Sequence, residues 1–317
     1  MKLSIITVTK NNKDGLLRAI ECVRNQTYRH VEHIIVDGGS TDGTQEILRS
    51  TQNDARLTTH YSLLSISEAD TGIYDAINKG IKLAAGDVIG LLHSDDLYAD
   101  ENVIEKYAEV FNSDSGQAGM TAQIDAVYSD LVYVSLKSQP KADQPPAEAV
   151  RSQESESGNS TTTNYPPPTS YSIIRYWKTH KSVINNQSSV NSKNTVHLSL
   201  VTDHLLKNGW MPPHPTLFIR KEIFDKYGLY RTDMKIAADY EMILRLLYNH
   251  KITAHYLPLT TYLMTLGGAS NKSIGNIIQK SKEDLLALKM NGINFPILTL
   301  ISKNFRKLPQ FLARDLS

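Results

Sequence analysis

The chain is poor in three things, and each absence narrows what it can be. It holds one cysteine, Cys22, in 317 residues, which rules out an internal disulfide framework and fits a reducing compartment. Its 34 Lys and Arg nearly balance 33 Asp and Glu, so no charge excess marks a general nucleic-acid binder. No apolar run approaches the roughly 18 residues of a membrane-spanning helix. The N-terminal run Leu3 to Val8 is too short for a signal-peptide core and stops at Lys10-Asn11-Asn12. The expectation is a cytoplasmic protein, with peripheral attachment to the inner face of the plasma membrane left open. The length allows one large domain with appendages and a sizeable core.

What is present first is alternation. Strands are expected at Leu3 to Thr9, Val31 to Val36, Leu63 to Ser67 and Val88 to Leu92. Between them lie helical patterns, one capped by Asp14 and running to about Arg24, one from Thr44, and one from Ile73 to Ala84. Asp100 is expected to cap a helix to Phe111. This order predicts an α/β fold with a mostly parallel sheet flanked by helices. Ala126 to Val134 reads as a further strand. Lys137 to Ser170 is rich in Ser, Pro, Gln and Thr and reads as a flexible insertion, as does Ser182 to Asn194. Tyr171 to Lys178, between them, is apolar and aromatic and should be anchored to the body.

Order returns near Leu205. A strand over Pro215 to Arg220, a short helix over Lys221 to Tyr227, a strong helix over Ala237 to Tyr248 and a closing strand over Thr253 to Leu257 follow. From Ser273 the chain reads as helix, and its tail mixes Phe295, Ile297, Leu298 and Ile301 with Lys303, Arg306, Lys307 and Arg314. Such a tail either lies on an anionic membrane or packs as a terminal helix on the body, the reading slightly favoured. Four segments result: 1–135, 136–204 with the polar insertions, 205–265, and a helical, basic 266–317.

Chemistry concentrates where the Val88 strand ends in Leu91-Leu92-His93-Ser94-Asp95-Asp96. Ligands of open α/β sheets bind beyond the carboxyl ends of strands. Two adjacent acids there suit a divalent cation, Mg²⁺ or Mn²⁺, that carries a diphosphate. The alternative is a helix cap for a helix beginning near Leu97. Asp37 ends the second strand, where it either accepts from a base or ribose or closes an Asx-turn on its own backbone. Thr7 and Thr9 end the first strand and could line the same crevice. Asp70, in Glu68-Ala69-Asp70-Thr71-Gly72, is a third strand-end acid, or a first-turn charge. Asp239 sits in the first turn of the Ala237 helix on its apolar side, as a cap or as a working carboxylate. Glu241 and Arg245 are spaced to pair on the outer face. Trp210 and His214 flank the stiff Pro212-Pro213 segment and either face a sugar or acceptor or serve the structure.

Assembled, these residues resemble the family 2 glycosyltransferases of GT-A fold, of the bacterial type that builds capsules, exopolysaccharides and lipopolysaccharide. The matching stretches are SIITVTKN (Ser4 to Asn11), VDGGSTDGT (Val36 to Thr44), EADTGIYDAINKG (Glu68 to Gly80), HSDD (His93 to Asp96), PPHPTLFIRK (Pro212 to Lys221) and AADYEMILRLL (Ala237 to Leu247). The resemblance implies that Asp37 contacts the nucleotide base and that Thr7 and Thr9 line its pocket. It implies a DXD-type pair, with Asp95 nearer the ribose and Asp96 on the metal, and Asp239 as catalytic base. It further implies an inverting transfer from a UDP- or GDP-sugar to a glycan or lipid-linked glycan. The two polar insertions depart from the family's pattern on the acceptor side. A sugar nucleotidyltransferase fits less well, because Lys10-Asn11-Asn12-Lys13-Asp14-Gly15 lacks a glycine-rich phosphate loop. A catalytically inactive scaffold would be favoured by loss of Asp96 or Asp239, and both are present.

Overall fold

A computed structural model describes residues 1–52, 61–113, 123–136, 171–177, 198–265 and 274–305. Both polar stretches, 137–170 and 182–194, lie outside the described residues. The first strand, β1 (Leu3–Thr9), is buried along its whole length, as a β-branched run covered on both faces should be. Then follow α1 (Lys13–Arg24), β2 (Val31–Asp37), α2 (Thr44–Gln52), β3 (Tyr61–Ser67), α3 (Ile73–Leu83) and β4 (Val88–Leu91). Asn12, not Asp14, caps α1, its side chain accepting from the Gly15 N–H at 3.1 Å. No helix begins at Leu97. Leu97–Tyr98 is instead a short strand, β5, which removes the capping role for Asp95 and Asp96. Helix α4 (Val103–Ser113) precedes the long β6 (Ala126–Leu136), and β7 (Tyr171–Trp177) pairs with β6, anchoring the aromatic segment as expected.

The second half adds α5 (Leu198–Lys207), β8 (Phe218–Arg220), α6 (Lys221–Tyr227), α7 (Ala238–Ile243), β9 (Ala254–Thr265), α8 (Ile274–Met290) and α9 (Pro296–Phe305). A 3₁₀ turn over His214–Thr216 takes the place of the start of the expected 215–220 strand. Helix α7 widens at Leu244–Asn249 into a π-helical turn. The strands form one sheet in the order β3-β2-β1-β4-β8-β6-β9-β5, with β7 beside β6. The sheet is parallel through β3-β2-β1-β4 and mixed beyond, since β8 runs antiparallel to both β4 and β6. The α/β architecture with a helical C-terminal region is therefore borne out.

Two apolar layers sandwich the sheet. One packs Ile77 and Ile81 of α3 and Met242, Ile243, Leu246 and Leu247 from the α7 region against Ile6, Ile34 and Ile89. The other packs Tyr107 and Phe111 of α4 against Leu3, Val127 and Phe218. Each fully buried Leu, Ile or Phe contributes about 1.5–3 kcal/mol, so these layers fix where the strand ends lie. Gly90 is needed in β4: a Cβ there would sit 2.4 Å from Phe218 Cε1, and Phe218 is held by stacking on Tyr107 at 4.0 Å between ring centroids.

Candidate active site

Because β1, β2, β3 and β4 are parallel, their carboxyl ends share one edge, and Thr9 and Asp37 are direct partners across it. The loops beyond are stitched to one another. Asn11 N–H donates to Ser40 Oγ at 2.7 Å, and Asn11 Oδ1 accepts from Thr41 N–H at 2.8 Å. Asn12, having capped α1, donates to Asp95 Oδ1 and to Ser94 Oγ. At Gly38 a Cβ would lie 2.3 Å from Asp70 Oδ2, so only glycine lets the Asp70 carboxylate close over the end of β2.

The structure gathers Thr9, Asp37, Asp70, Asp95 and Asp96 on this rim. Asp37 is fully buried and accepts from Ser40 N–H, Ser40 Oγ and Ser67 Oγ. The backbone bond comes from three residues on, not the two of an Asx-turn, and together with the serine hydroxyls it locks the carboxylate in place. Two buried polar atoms on the same rim, Thr9 Oγ1 and His93 Nδ1, have no hydrogen-bond partner among the described residues. Such atoms are costly unless a ligand or water meets them. Sequence reasoning assigned His93 no role, although it stands in the quoted HSDD stretch. Burial holds its ring down to about 4, and the nearby His214 adds to the effect.

Asp95 is exposed, whereas Asp96 is 3% exposed. Asp96 Oδ1 accepts from Thr265 N–H at 3.0 Å and Oδ2 from the Tyr262 hydroxyl at 3.3 Å. Burial pushes the Asp96 carboxyl up to about 7. The Asp95 charge adds to this, and the Thr265 and Tyr262 donors oppose it. Among the described residues no lysine or arginine pairs with either acid, and no three His, Cys, Asp or Glu side chains converge. A buried carboxylate beside a second one, with spare lone pairs and no cation, fits a divalent ion that takes one or two protein oxygens and completes its shell with phosphate and water. Tyr262 and Thr265 lie in the part of β9 beyond the expected 253–257 strand. Pro258 argues against a continuous strand there, but the pairing jumps from Ser129↔Leu257 to Asp130↔Thr260. A bulge thus absorbs the proline.

Asp239 lies at the start of α7, partly exposed, with Oδ1 accepting from Tyr240 N–H at 2.7 Å and 3.3 Å from the Tyr74 hydroxyl. Tyr74 stacks on Tyr230, whose hydroxyl meets His214 Nε2 at 2.8 Å. Burial lowers the His214 ring and the Asp239 charge opposes that. The carboxylate is thus within electrostatic reach of His214, and His214 of His93, next to the acid pair. Helix α8 fixes this corner: Glu283 accepts from the N–H groups of Lys235, Ile236 and Ala237 at 2.8–3.0 Å.

Three expected contacts are repositioned. Thr7 is fully buried, its hydroxyl 2.8 Å from His33 Nε2 inside the layer rather than lining the crevice. Trp210 is packed edge-on against Tyr128, and His214 is buried in the Tyr230 contact, so neither ring faces an open surface. Glu241 and Arg245 do pair, at 3.1 Å, but on a buried side, where Arg245 also binds the Gly228 and Leu229 carbonyls.

With this geometry in view, the comparisons agree. The model of glycosyl transferase family 2 matches residues 4–186, and the chain belongs to that family. It is 37% identical over 111 residues to an uncharacterized glycosyltransferase of Mycobacterium tuberculosis, covering 35% of this chain and 40% of that one. A PGL/p-HBAD biosynthesis glycosyltransferase of Mycobacterium bovis is 30% identical over 131 residues, covering 41% and 46%. The chain thus spans less than half the length of these curated relatives. Among solved structures, S. aureus TarS 1–349 in complex with UDP-GlcNAc superposes with TM-score 0.54 at 14% identity, covering 98% of this chain and 79% of that one. The mannosyltransferase PcManGT of Pyrobaculum calidifontis, in complex with GDP-Man and Mn2+, gives 0.51 at 14%, covering 99% and 76%. These two support the GT-A fold. Asp239 lies beyond the matched 4–186.

Proposed function

We propose that this chain is a metal-dependent, inverting glycosyltransferase that moves a sugar from a UDP- or GDP-sugar to a hydroxyl of a glycan or lipid-linked glycan in cell-surface polysaccharide synthesis. The observation that carries this reading is the rim itself. Thr9 and His93 present unpartnered buried atoms there, between Asp37 and Asp70 on one side and Asp95 and Asp96 on the other. A nucleotide fits the first side and its diphosphate the second. The solved neighbours that bind UDP-GlcNAc, or GDP-Man with Mn2+, and the Mycobacterium bovis relative named a PGL/p-HBAD biosynthesis glycosyltransferase, support the same assignment.

In this reading residues 1–135 bind the donor, 205–265 form the acceptor side, 136–204 carry the insertions, and 266–317 make a helical appendage. Asp96, with Asp95, would hold Mn²⁺ or Mg²⁺, which when bound supplies Lewis-acid stabilisation of charge on the departing diphosphate. Asp37 and Asp70 orient the nucleoside. Asp239 accepts the proton of the acceptor hydroxyl as its oxygen bonds to the anomeric carbon and the bond to the diphosphate oxygen breaks. One displacement with one base inverts the anomeric centre and releases the nucleoside diphosphate.

The test is nucleotide release from UDP- and GDP-sugars with Mn²⁺ or Mg²⁺. Metal-dependent release from one donor, lost in Asp96→Asn and in Asp37→Asn, is expected. A folded protein that neither binds nor hydrolyses any donor would overturn the assignment in favour of an inactive scaffold.

A further inference from the structure

Of the two C-terminal helices, α8 buries Ala287 and Leu288 in the core, whereas α9 is built inside out. Helix α9 turns Thr299, Ser302 and Lys303 toward the body, where they bond the Lys207 carbonyl, the Asn208 carbonyl and Asp284 at 2.7–2.9 Å. Leu300 is the apolar residue that joins them against the core. Outward it presents Ile297, Leu298, Ile301 and Phe305, with Phe295 just before it, and Phe295, Leu298 and Phe305 are 75, 63 and 64% exposed. The terminal helix packs on the body, as favoured from sequence, but α9 docks through its polar side, the reverse of an ordinary amphipathic helix.

Helix α8 also exposes apolar residues. Ile277, Ile278, Leu286 and Met290 are exposed, and Lys282 and Lys289 are exposed with them. The acids of residues 274–305 are Glu283 and Asp284, and both are buried. Glu283 is consumed by the backbone ahead of α7, and Asp284 by Lys280 and Lys303. Within residues 274–305 the exposed side is therefore apolar and basic, with no acid. Exposed apolar side chains in this number on two packed helices mark an interaction surface.

We infer that this face docks on an anionic lipid bilayer. The charge pattern selects that occupant. A second copy apposed through the same face would bring Lys282 and Lys289 against their own kind with no carboxylate to answer them. Lipid phosphate answers them directly, while the Phe and Leu side chains enter the acyl boundary. The sequence beyond Phe305 adds Arg306, Lys307 and Arg314 against one acid, Asp315, in keeping with the same sign.

The inference stands apart from the assignment of the reaction, and its test does not use activity. The full chain is floated with vesicles of phosphatidylcholine alone and of phosphatidylcholine with phosphatidylglycerol. Binding to the anionic vesicles only is expected. It should weaken at least tenfold in Leu298→Glu/Ile301→Glu and several-fold in Lys282→Gln/Lys289→Gln, each checked for an unchanged melting temperature. No flotation, equal binding to neutral vesicles, binding that survives both pairs of substitutions, or a dimer in light scattering that Leu298→Glu/Ile301→Glu dissociates would each overturn it.

Discussion

The Tyr74 hydroxyl lies 2.8 Å from the Ile236 carbonyl and 3.3 Å from Asp239 Oδ1, and it has one proton to offer the two. The shorter contact has the better claim on it, which leaves the tyrosine to hold the loop in front of α7 and to stand beside the proposed base. In Tyr74→Phe the stack on Tyr230 persists and the tether goes. We expect kcat to fall about tenfold, the equivalent of ~1.4 kcal/mol, with the donor KM within about twofold of wild type. Steady-state kinetics measure both. Asp239→Asn should lower kcat about 10²–10⁴-fold while leaving donor binding by calorimetry intact.

Acid should weaken the fold before it protonates most carboxylates. His33 is sealed between Thr7 and Tyr61, with partners at 2.8 and 3.0 Å, and burial pulls its ring from 6.5 down to about 3. Between those values the unfolded chain binds a proton that the folded chain refuses, so stability falls as pH drops through 6.5 toward 3. One such histidine gives a slope of about 1.4 kcal/mol per pH unit. Urea denaturation from pH 7 to 4 should show it, and His33→Gln should remove this share of the slope, leaving that of the buried His93.

Gly90→Ala tests whether the join of the two sheet halves is tight. Its new methyl meets Phe218, which is itself pressed on Tyr107, so neither ring can retreat cheaply. We expect a loss of about 1–3 kcal/mol in chemical denaturation, with partial recovery in Gly90→Ala/Phe218→Leu.

Glu283 is a cap supplied from another helix. Burial pushes its carboxyl up, but Gln279 and the three backbone N–H groups outweigh that and hold it below its ordinary 4.5. Its contribution is therefore present above pH 4.5 and fades as pH falls through the lowered folded value. Glu283→Gln should cost about 1–3 kcal/mol at pH 7, and the gap to wild type should narrow in melts at acid pH.

The parallel half of the fold was legible because its signals are local. Leu3–Thr9 and Val31–Asp37 are buried runs, and Asp37 closes the second of them. What sequence could not reveal depends on distant partners. Nothing near Asp96 announces that Tyr262 and Thr265 will hold it, because Pro258 breaks the strand pattern and the bulge that tolerates it is a property of pairing with β6. His214 reads as a polar ring between prolines until Tyr230 and Asn78 are placed beside each other, the Asn78 side chain bonding the Tyr230 backbone on both sides at 2.8 and 3.0 Å. Leu97 reads as a helix start because β9, its partner, is remote in sequence. The tail was legible as a packed helix but not in its orientation, because an amphipathic pattern gives a helix an apolar side, not the direction in which that side points.

The carboxylate of Asp96 takes both of its hydrogen bonds from β9, more than 160 residues downstream. Anyone who grafts a different second half onto the proposed nucleotide pocket by exchanging the chain after residue 205 inherits that dependence. A chimera that keeps a tyrosine at 262 and the strand path through 265 should retain its pocket. One that does not would carry every motif of the first half intact and still present Asp96 unheld.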